Sequence, residues 1–323
     1  MSNHATTPLR ILVMGAGAMG SAAGGFLAKA GHQVTLVGRE PHMAAIRERG
    51  LRITGIWGDH LVRTLHARTD LAGLERGAFD LVLICVKSYD TAEAIKAVVP
   101  LVDPGTLVCA YQNGLGNAER IAEAVGWERT VGARVIFGVW LREPGWAEIT
   151  VIANPTAIGV YDPRAPVERV RALAAAMDAA GLPTVFTDQI ATVLWGKVAY
   201  NCALNPLSAL LDVPYGRLLE SEHTRQIMAE VIQELYAVAG AMGVQLKPDT
   251  AEAYIRHLFE DLIPPTAAHY ASMHEDFCRK RRTEIDALNG AICVYAVRHR
   301  IPCPTNTVLP RLVRAREHAL AVR

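Results

Sequence analysis

Short apolar runs alternate with turns and helical spacing at the start of the chain. An apolar run over residues 9–14 leads into six residues rich in glycine, then a helix of small residues to about residue 30 and a second apolar run over 33–37. Uniformly apolar runs are typical of strands that are covered on both faces. The pattern therefore predicts a strand–helix–strand unit with parallel strands.

The same alternation continues to Asp188, and helical spacing replaces it afterwards. Strands are predicted over 79–86, 106–110, 130–139, 149–159 and 184–186, with helices over 91–99 and 167–180. Beyond Asp188, helices are predicted over 189–211, 221–242, 249–262, 283–298 and 310–322. The 323 residues suit two domains of ordinary size. We therefore predict an α/β domain over 1–188, followed by an all-helical domain over 189–323.

Residues 189–211 are apolar enough to resemble a membrane span. They include Lys197, Asn201, Asn205 and Pro206, and the charged and amide side chains would be costly in hydrocarbon. We interpret the segment as a buried helix of a soluble domain. The polar arm over residues 1–8 does not resemble a signal peptide. No membrane partner is therefore expected.

Composition and charge narrow the class of protein further. Hydrophobic residues make up 51% of the chain and charged residues 20%, as in ordinary globular proteins. Lys and Arg number 33 against 32 for Asp and Glu, so the charge gives no reason to expect a nucleic-acid partner. The six cysteines lack C-x-x-C or zinc-site spacing. We therefore expect reduced thiols, no metal site and a cytoplasmic location.

The glycine-rich turn carries the first candidate chemistry. Gly15 allows the tight turn after the strand, Gly17 lets the backbone approach a pyrophosphate, and Gly20 lets the helix pack closely on the strand. The pyrophosphate would lie at the positive end of the helix. The turn thus predicts a Rossmann dinucleotide site formed by Gly15, Ala16, Gly17, Ala18, Met19 and Gly20.

The residues after the second strand indicate which dinucleotide is bound. An NAD enzyme places Asp or Glu there, whereas this chain has Gly38 and Arg39. An arginine at this point can make charge-assisted hydrogen bonds to a 2′-phosphate. The adjacent Glu40 slightly weakens the argument. The sequence therefore favours NADPH over NADH as the cofactor.

A row of polar residues follows the predicted domain boundary. Lys197, Asn201 and Asn205 recur every four residues, which places them on one face of a helix whose other residues are apolar. Such groups are costly unless they are satisfied. They form either an internal network that fixes helix packing or a polar face turned towards a cleft. Three polar residues in register favour the cleft.

Other polar residues fall where ligand contacts are expected. Lys87 and Asn113 each follow a predicted strand, and the carboxyl ends of parallel strands face the ligand crevice. We expect both beside the nicotinamide. Ser272 and Glu284 lie near the C-terminus. Glu284 is interpreted either as an acidic residue that starts a helix or as a substrate-binding group opposite a lysine.

Six motifs together carry a family resemblance. They are G-A-G-A-M-G at 15–20, V-K at 86–87, Q-N-G at 112–114, W-G-K-x-x-x-N-x-x-x-N-P at 195–206, S-M at 272–273 and T-E-I-D-A-L-N-G at 283–290. From Leu9 to about Pro304 the chain resembles the ketopantoate reductases (2-dehydropantoate 2-reductases) of pantothenate biosynthesis.

The resemblance implies an NADPH-dependent reduction of a 2-oxo acid, ketopantoate, to a 2-hydroxy acid, pantoate. It implies that Lys197 is the general acid and that Glu284 contacts the hydroxyl side of the substrate. The residues that it assigns to substrate binding are Asn113, Asn201, Asn205 and Ser272. Lys87 and Asn113 would lie near the cofactor. A small-molecule substrate is thus the expected partner, and a homodimer is left open.

Two segments depart from the family pattern. One is E-P-G-W at 143–146 with the following 149–155, and the other is the basic run over 279–282. The run is either a solvated helix edge or a contact for cofactor phosphates or an acidic substrate. These departures leave the identity of the substrate undecided. The alternatives are a paralogous reductase of another 2-oxo acid, a β-hydroxyacid dehydrogenase, or a non-catalytic NADPH-binding sensor or scaffold.

Overall fold

The computed structural model describes residues 8–321, which form two compact units. The first unit comprises residues 8–113 and 117–190, and the second comprises Gly114–Gly116 and residues 191–321. The predicted division into 1–188 and 189–323 also includes residues 1–7 and 322–323, which lie outside the described residues. So does most of the predicted polar arm.

The first unit holds an eight-stranded and a four-stranded sheet. Its strands are β1 (Arg10–Met14), β2 (Gln33–Val37), β3 (Leu51–Gly55), β4 (His60–Val62), β5 (His66–Arg68), β6 (Leu81–Ile84), β7 (Leu107–Ala110), β8 (Thr130–Arg134), β9 (Phe137–Glu143), β10 (Trp146–Ile152), β11 (Thr156–Val160) and β12 (Thr184–Phe186). Its helices are α1 (Ala18–Lys29), α2 (His42–Arg49), α3 (Thr91–Val98), α4 (Asn117–Val125) and α5 (Val167–Ala179).

The larger sheet has the strand order β12-β11-β8-β7-β6-β1-β2-β5. Pairing is parallel from β8 to β5 and antiparallel between β11 and β8. The chain leaves β1 towards β2 on one side and later returns to β6 on the other. This change of direction is the topological switch point, where ligands of such sheets bind at the carboxyl ends of the strands. The predicted α/β architecture is confirmed for this unit.

Small residues let α1 lie between the two sheets. A Cβ atom at Gly24 would approach Leu36 of β2 to 2.4 Å, and one at Gly25 would approach Ile53 of β3 to 2.4 Å. The two glycines therefore bring the helix close to both sheets at once. Larger side chains here would separate the layers, which explains why the helix after the glycine turn is built from small residues.

The four-stranded sheet, of order β4-β3-β10-β9, was not predicted. The single strands predicted over 130–139 and 149–159 are wrong, because each region contains two strands that belong to different sheets. Gly145, with φ of +85°, allows the tight turn that joins β9 to β10. The unusual E-P-G-W segment is thus a hairpin turn of this second sheet. Helices α2 and α4 were also missed.

The second unit is helical in its described residues, as predicted. Its helices are α6 (Ile190–Leu211), α7 (Tyr215–Glu220), α8 (Glu222–Ala241), α9 (Ala251–His257), α10 (Ser272–Cys278), α11 (Asn289–His299) and α12 (Pro304–Ala319), with a π-helical turn at Leu258–Leu262 and a short 3-10 turn at Ile285–Ala287. Between residues 8 and 321, no helix combines the length and apolarity that crossing a membrane requires.

Two predictions for this unit need correction. The single helix over 283–298 is wrong, because a 3-10 turn precedes α11 and the helix begins only at Asn289. The last helix begins at Pro304, since proline is well tolerated in a first helical turn. It ends at Ala319, and Val322 of the predicted range lies outside the described residues. Helices α7 and α10 were not predicted.

Candidate active site

The glycine turn lies at the end of β1, where α1 begins. Gly15 has φ of +107°, and a Cβ there would lie 2.5 Å from the backbone nitrogen of Val86. A Cβ at Gly20 would lie 2.3 Å from the carbonyl oxygen of Gly15. Packing within the protein therefore excludes any side chain at these two positions. The amides of Gly15 and Ala16 both donate to the carbonyl of Val37, at 3.0 and 2.8 Å, which ties the turn to β2.

Gly17 differs from the other two glycines. A Cβ at this position would meet no atom of the protein within 4 Å, and the residue is exposed. Its small size is thus not required by packing, but it keeps space open at the N-terminus of α1. The first turn of this helix, which includes half-buried Ala18 and Met19, contains no acidic residue. Its amide groups lack acceptors within the helix, so the residues present fit a pyrophosphate.

The side chains beyond β2 separate the roles of Arg39 and Glu40. Glu40 accepts a 2.7 Å hydrogen bond from the amide of Ala44 and pairs with Arg47. The hydrogen bond from Arg47 lowers the pKa of the Glu40 carboxyl, so it stays ionised as part of α2. Arg39 is exposed. The acidic neighbour is therefore engaged within the protein.

A buried histidine supports the turn and was missed from sequence. The amide of Gly145 donates to Nδ1 of His42 at 2.9 Å, which leaves Nε2 to donate to Oγ of Ser21 at 2.9 Å. Ser21 in turn faces the carbonyl of Ala16 at 3.5 Å. Burial lowers the pKa of His42, which favours this neutral form. The hairpin turn of the second sheet is thus linked to the glycine turn.

Lys87 and Asn113 follow β6 and β7, two neighbouring parallel strands of the large sheet. Lys87 is half-buried and precedes a 3-10 turn, and Asn113 is half-buried too. Because Gly15 packs against the backbone of Cys85 and Val86, the residues after β6 lie beside the glycine turn. The fold thus brings all three loops to one edge of the sheet.

A network of side chains holds these loops together. Gln112 donates to the carbonyl of Val86 and to Oγ1 of Thr91, both at 2.8 Å. Thr91 donates to Oδ1 of Asn117 at 3.0 Å, and Asn117 donates to the carbonyl of Asn113 at 2.9 Å. The Q-N-G motif indicated this loop from sequence, but the hydrogen-bond partners of its residues could not be predicted. The network fixes the backbone at both Lys87 and Asn113.

In the second unit, α6 carries the row of polar residues. Lys197 and Asn201 are half-buried, whereas Asn205 is only 4% exposed. Asn205 accepts a 2.7 Å hydrogen bond from the hydroxyl of Tyr215. Burial raises the pKa of Tyr215, so this hydroxyl keeps the proton that it donates. The side-chain oxygen of Asn205 is thus hydrogen-bonded within the protein.

The N-P pair in the motif of α6 has a structural consequence. A proline inside a helix has no N–H for the carbonyl four residues earlier. Pro206 therefore leaves the carbonyl of Cys202 without its helical donor, and Nδ2 of Asn289 donates to that oxygen at 3.1 Å. The same amide group donates to Oδ1 of Asn306 at 2.9 Å. Asn289 is fully buried, so the L-N-G motif supplies a partner for the N-P motif.

We expect Asn289→Leu to destabilise the protein by about 2–6 kcal/mol. The change keeps a similar volume but leaves two buried acceptors, the Cys202 carbonyl and Asn306 Oδ1, without this donor, at about 1–3 kcal/mol for each unsatisfied group. Urea unfolding measures the loss. The control is Val297→Ala on the exposed surface of α11, expected within about 0.5 kcal/mol of the wild type. Equal stability of Asn289→Leu and wild type would contradict this role.

Ser272 and Glu284 lie on separate segments of the second unit. Ser272 is exposed and is the first residue of α10. Glu284 is half-buried between the buried Thr283 and Ile285 and precedes the 3-10 turn. Glu284 therefore stands at the start of the 3-10 turn and not of the α-helix α11, which begins at Asn289. Its role in substrate binding stays a prediction.

Nearby carboxylates compensate the basic run over 279–282. Arg279 pairs with Glu275 at 2.9 Å, Arg281 pairs with Asp276 at 3.1 Å, and Arg282 pairs with Asp286 at 3.0 Å. These partners all lie within the second unit. These three arginines are thus paired on the surface of this unit, and a contact of the run with cofactor phosphates or an acidic substrate stays a prediction.

The fold and these residues define a class before any comparison. A glycine turn at the switch point of a parallel sheet, with open space at a helix N-terminus, is the site of a dinucleotide-binding protein. A separate helical unit carries the half-buried Lys197 on α6, and its role as proton donor stays a prediction. Across residues 8–321, no cluster of three or more side chains suits a metal ion. The class that the fold and the glycine turn define is thus that of dinucleotide-binding proteins.

Comparisons with known proteins identify the family. The model of "Ketopantoate reductase PanE/ApbA" matches residues 11–163, and that of its C-terminal domain matches residues 189–317. The 2-dehydropantoate 2-reductase of Aquifex aeolicus is 38% identical over 312 residues, covering 96% of this chain and 97% of the relative. The chain belongs to the ketopantoate reductase family, a family of nicotinamide-dinucleotide-dependent oxidoreductases.

Solved structures agree with this assignment. The PanE/ApbA family ketopantoate reductase of Ralstonia eutropha JMP134 has a TM-score of 0.85 at 35% identity, covering 97% of this chain and all of the other. D-mandelate dehydrogenase, solved with NADH and anilino(oxo)acetate, has a TM-score of 0.86 at 25% identity, covering 98% of this chain and 100% of the other. The family fold therefore extends over nearly the whole chain.

Proposed function

We propose that this chain reduces 2-dehydropantoate to pantoate with NADPH. The observation that carries the substrate assignment is the similarity to curated 2-dehydropantoate 2-reductases over 96% of the chain. The reaction consumes one 2-oxo acid, one NADPH and one proton, and releases a 2-hydroxy acid and NADP⁺. When bound, the reduced nicotinamide supplies the hydride that reaches the keto carbon.

The glycine turn binds the pyrophosphate of the cofactor in this proposal. The space beside Gly17 and the amides at the start of α1 support that role. Arg39 binds the 2′-phosphate, which is supported by its exposure and by the engagement of Glu40 with Arg47. Lys87 and Asn113, at the same edge of the sheet, bind the cofactor near its nicotinamide.

Lys197 supplies the proton in the proposed mechanism. As the keto carbon accepts the hydride, its oxygen becomes an alkoxide that requires a proton, and the ammonium of Lys197 donates it to that oxygen. Asn201 and Asn205 share its face of α6 and, with Ser272, hold the substrate. Glu284 binds the hydroxyl side. These groups lower the barrier by positioning the acid and the ketone.

Asn205→Ala and Ser272→Ala are expected to raise KM for the 2-oxo acid with little change in kcat. In the proposed mechanism, both side chains contact the substrate equally in its ground state and in its transition state. Steady-state kinetics at saturating NADPH measure KM and kcat separately. Tyr215→Phe is the control for Asn205, because it removes the same hydrogen bond but keeps the amide. If Tyr215→Phe raises KM as much as Asn205→Ala, Asn205 acts through its hydrogen bond with Tyr215 and not through contact with the substrate.

A second candidate is the reduction of a different 2-oxo acid. It is favoured by the close structural similarity to D-mandelate dehydrogenase, which was solved with NADH and anilino(oxo)acetate. A panel of ketopantoate, 2-oxoisovalerate and benzoylformate, each with NADPH and NADH, separates the two. We expect the highest kcat/KM for ketopantoate with NADPH.

Each other outcome of the panel has a definite meaning. Preference for benzoylformate with NADH would replace the proposal with the second candidate. Binding of NADPH without turnover of any 2-oxo acid would instead identify a non-catalytic sensor. A cytoplasmic location and a homodimer are further proposals, and light scattering of the purified protein measures the second.

A further inference from the structure

Two cysteines of the second unit lie together and have no part in the proposed mechanism. Cys293 lies in the middle of α11, and Cys303 immediately precedes α12, ten positions further along the chain. Oγ1 of Thr307 lies 3.6 Å from the sulfur of Cys293 and donates a 2.6 Å hydrogen bond to the carbonyl of Cys303, which brings the two cysteines together. Cys293 is half-buried and Cys303 is buried. The pair therefore combines one accessible sulfur with one protected sulfur.

Polar contacts orient both thiols. Cys293 donates to the carbonyl of Asn306 at 3.2 Å, and Cys303 donates to Oε2 of Glu234 at 3.4 Å. Glu234 also accepts hydrogen bonds from the amides of Thr305 and Asn306, both at 2.8 Å, and so caps the N-terminus of α12. The two sulfurs thus lie at a fixed junction between α11, α12 and α8.

The two thiols differ chemically. The interaction with Cys303 lowers the pKa of Cys293, and the same interaction raises the pKa of Cys303. Burial raises the pKa of Cys202, a third cysteine of this unit. Reactive cysteines combine thiolate character with access, and redox pairs place a second thiol beside the first. Cys293 therefore suits the attacking role and Cys303 the resolving role.

We propose that Cys293 and Cys303 are a redox site that closes to a reversible disulfide when hydrogen peroxide oxidises the protein. The Cys293 thiolate attacks one peroxide oxygen, the O–O bond breaks, and a sulfenic acid and water form. The sulfur of Cys303 then attacks the sulfenic sulfur, the S–O bond breaks, and a second water leaves. Two electrons pass from the two thiols to one peroxide, and a dithiol reductant returns them.

The site connects to the helix that carries Lys197. Asn306 accepts from Cys293 through its carbonyl and from Asn289 through Oδ1, and Asn289 holds the Cys202 carbonyl of α6. A disulfide removes the hydrogen of each thiol and with it both donated hydrogen bonds at this junction. We therefore expect oxidation to lower turnover. This consequence rests on the proposed function, whereas formation of the disulfide does not.

Peptide mapping of the full-length protein after peroxide treatment tests the site. We expect the loss of two thiols, a Cys293–Cys303 cross-linked peptide, and reversal by dithiothreitol. Cys278→Ser is the matched control, because Cys278 is the exposed cysteine of α10, and it should form the same cross-link. Oxidation confined to Cys278, a link to Cys202, or sulfinic acid at Cys293 without a cross-link would overturn the proposal.

Serine variants test the order of the steps. Cys303→Ser should stop at a sulfenic acid on Cys293, which dimedone traps, whereas Cys293→Ser should react with neither peroxide nor dimedone at position 303. Circular dichroism and thermal melting verify that both variants fold. Ketopantoate reduction before and after oxidation should fall reversibly in the wild type and stay constant in Cys293→Ser. Full turnover by completely cross-linked protein would refute the connection to α6.

Discussion

Lys197→Ala should lower kcat for ketopantoate by about 10²–10⁴-fold, the usual contribution of a positioned general acid. Lys197 is half-buried on α6, and Asn201 and Asn205 lie on the same face of that helix. Ketone reduction requires a proton at oxygen, and this ammonium is the donor that the motif supplies. NADPH affinity should survive, because the glycine turn and Arg39 belong to the other unit.

Two variants separate this effect from a loss of structure. Lys247→Ala removes an exposed lysine of the same unit, paired with Asp249, and should leave kcat unchanged. Lys197→Arg keeps the positive charge but replaces the acid with one that does not release its proton, so kcat should remain low. Circular dichroism and NADPH titration accompany the kinetics. A folded Lys197→Ala protein with nearly normal kcat would refute the mechanism and make Lys87 the next candidate donor.

Arg39→Ala should weaken NADPH binding by about 10–150-fold and leave NADH binding nearly unchanged. The change removes a charge-assisted hydrogen bond worth about 1.5–3 kcal/mol, and each 1.4 kcal/mol corresponds to about tenfold in affinity. Fluorescence titration of both dinucleotides measures the difference. Because the pyrophosphate site at the glycine turn is unaltered, the loss should be specific to the 2′-phosphate.

Arg49→Ala is the matched control for cofactor choice. Arg49 lies in the last turn of α2, ten positions beyond Arg39, and should affect neither dinucleotide. Equal losses of NADPH and NADH affinity in Arg39→Ala would show that Arg39 does not recognise the 2′-phosphate. Tighter binding of NADH than NADPH by the wild type would also contradict the assignment.

Local sequence patterns identified the parallel core of the first unit. β1, α1 and β2 were predicted to within a few residues, because buried strands are uniformly apolar and the glycine turn separates them. The four-stranded sheet was missed, because its pairs join segments far apart: Ile53 of β3 aligns with Ala147 of β10. Nothing in the local pattern specifies which sheet a strand joins, so β8 and β9 were merged.

The sequence identified candidate site residues better than the groups that support them. Lys197, Asn201 and Asn205 were recognisable by spacing, and they do share α6. The contact between His42 and Gly145 spans 103 positions, and that between Asn289 and Cys202 spans 87. Such contacts depend on the folded chain. Asn289 stood within the T-E-I-D-A-L-N-G motif, but only the structure connects it with Pro206.

Isotope transfer is the most direct test of the proposed reaction. Wild-type protein is incubated with ketopantoate and NADPH deuterated at C4, using the two stereospecifically labelled forms in separate reactions, and the pantoate is analysed by NMR and mass spectrometry. The account predicts deuterium at C2 of pantoate from one form and none from the other, with one pantoate formed per NADPH consumed. NADPH consumption without pantoate, or unlabelled pantoate from both forms, would contradict it.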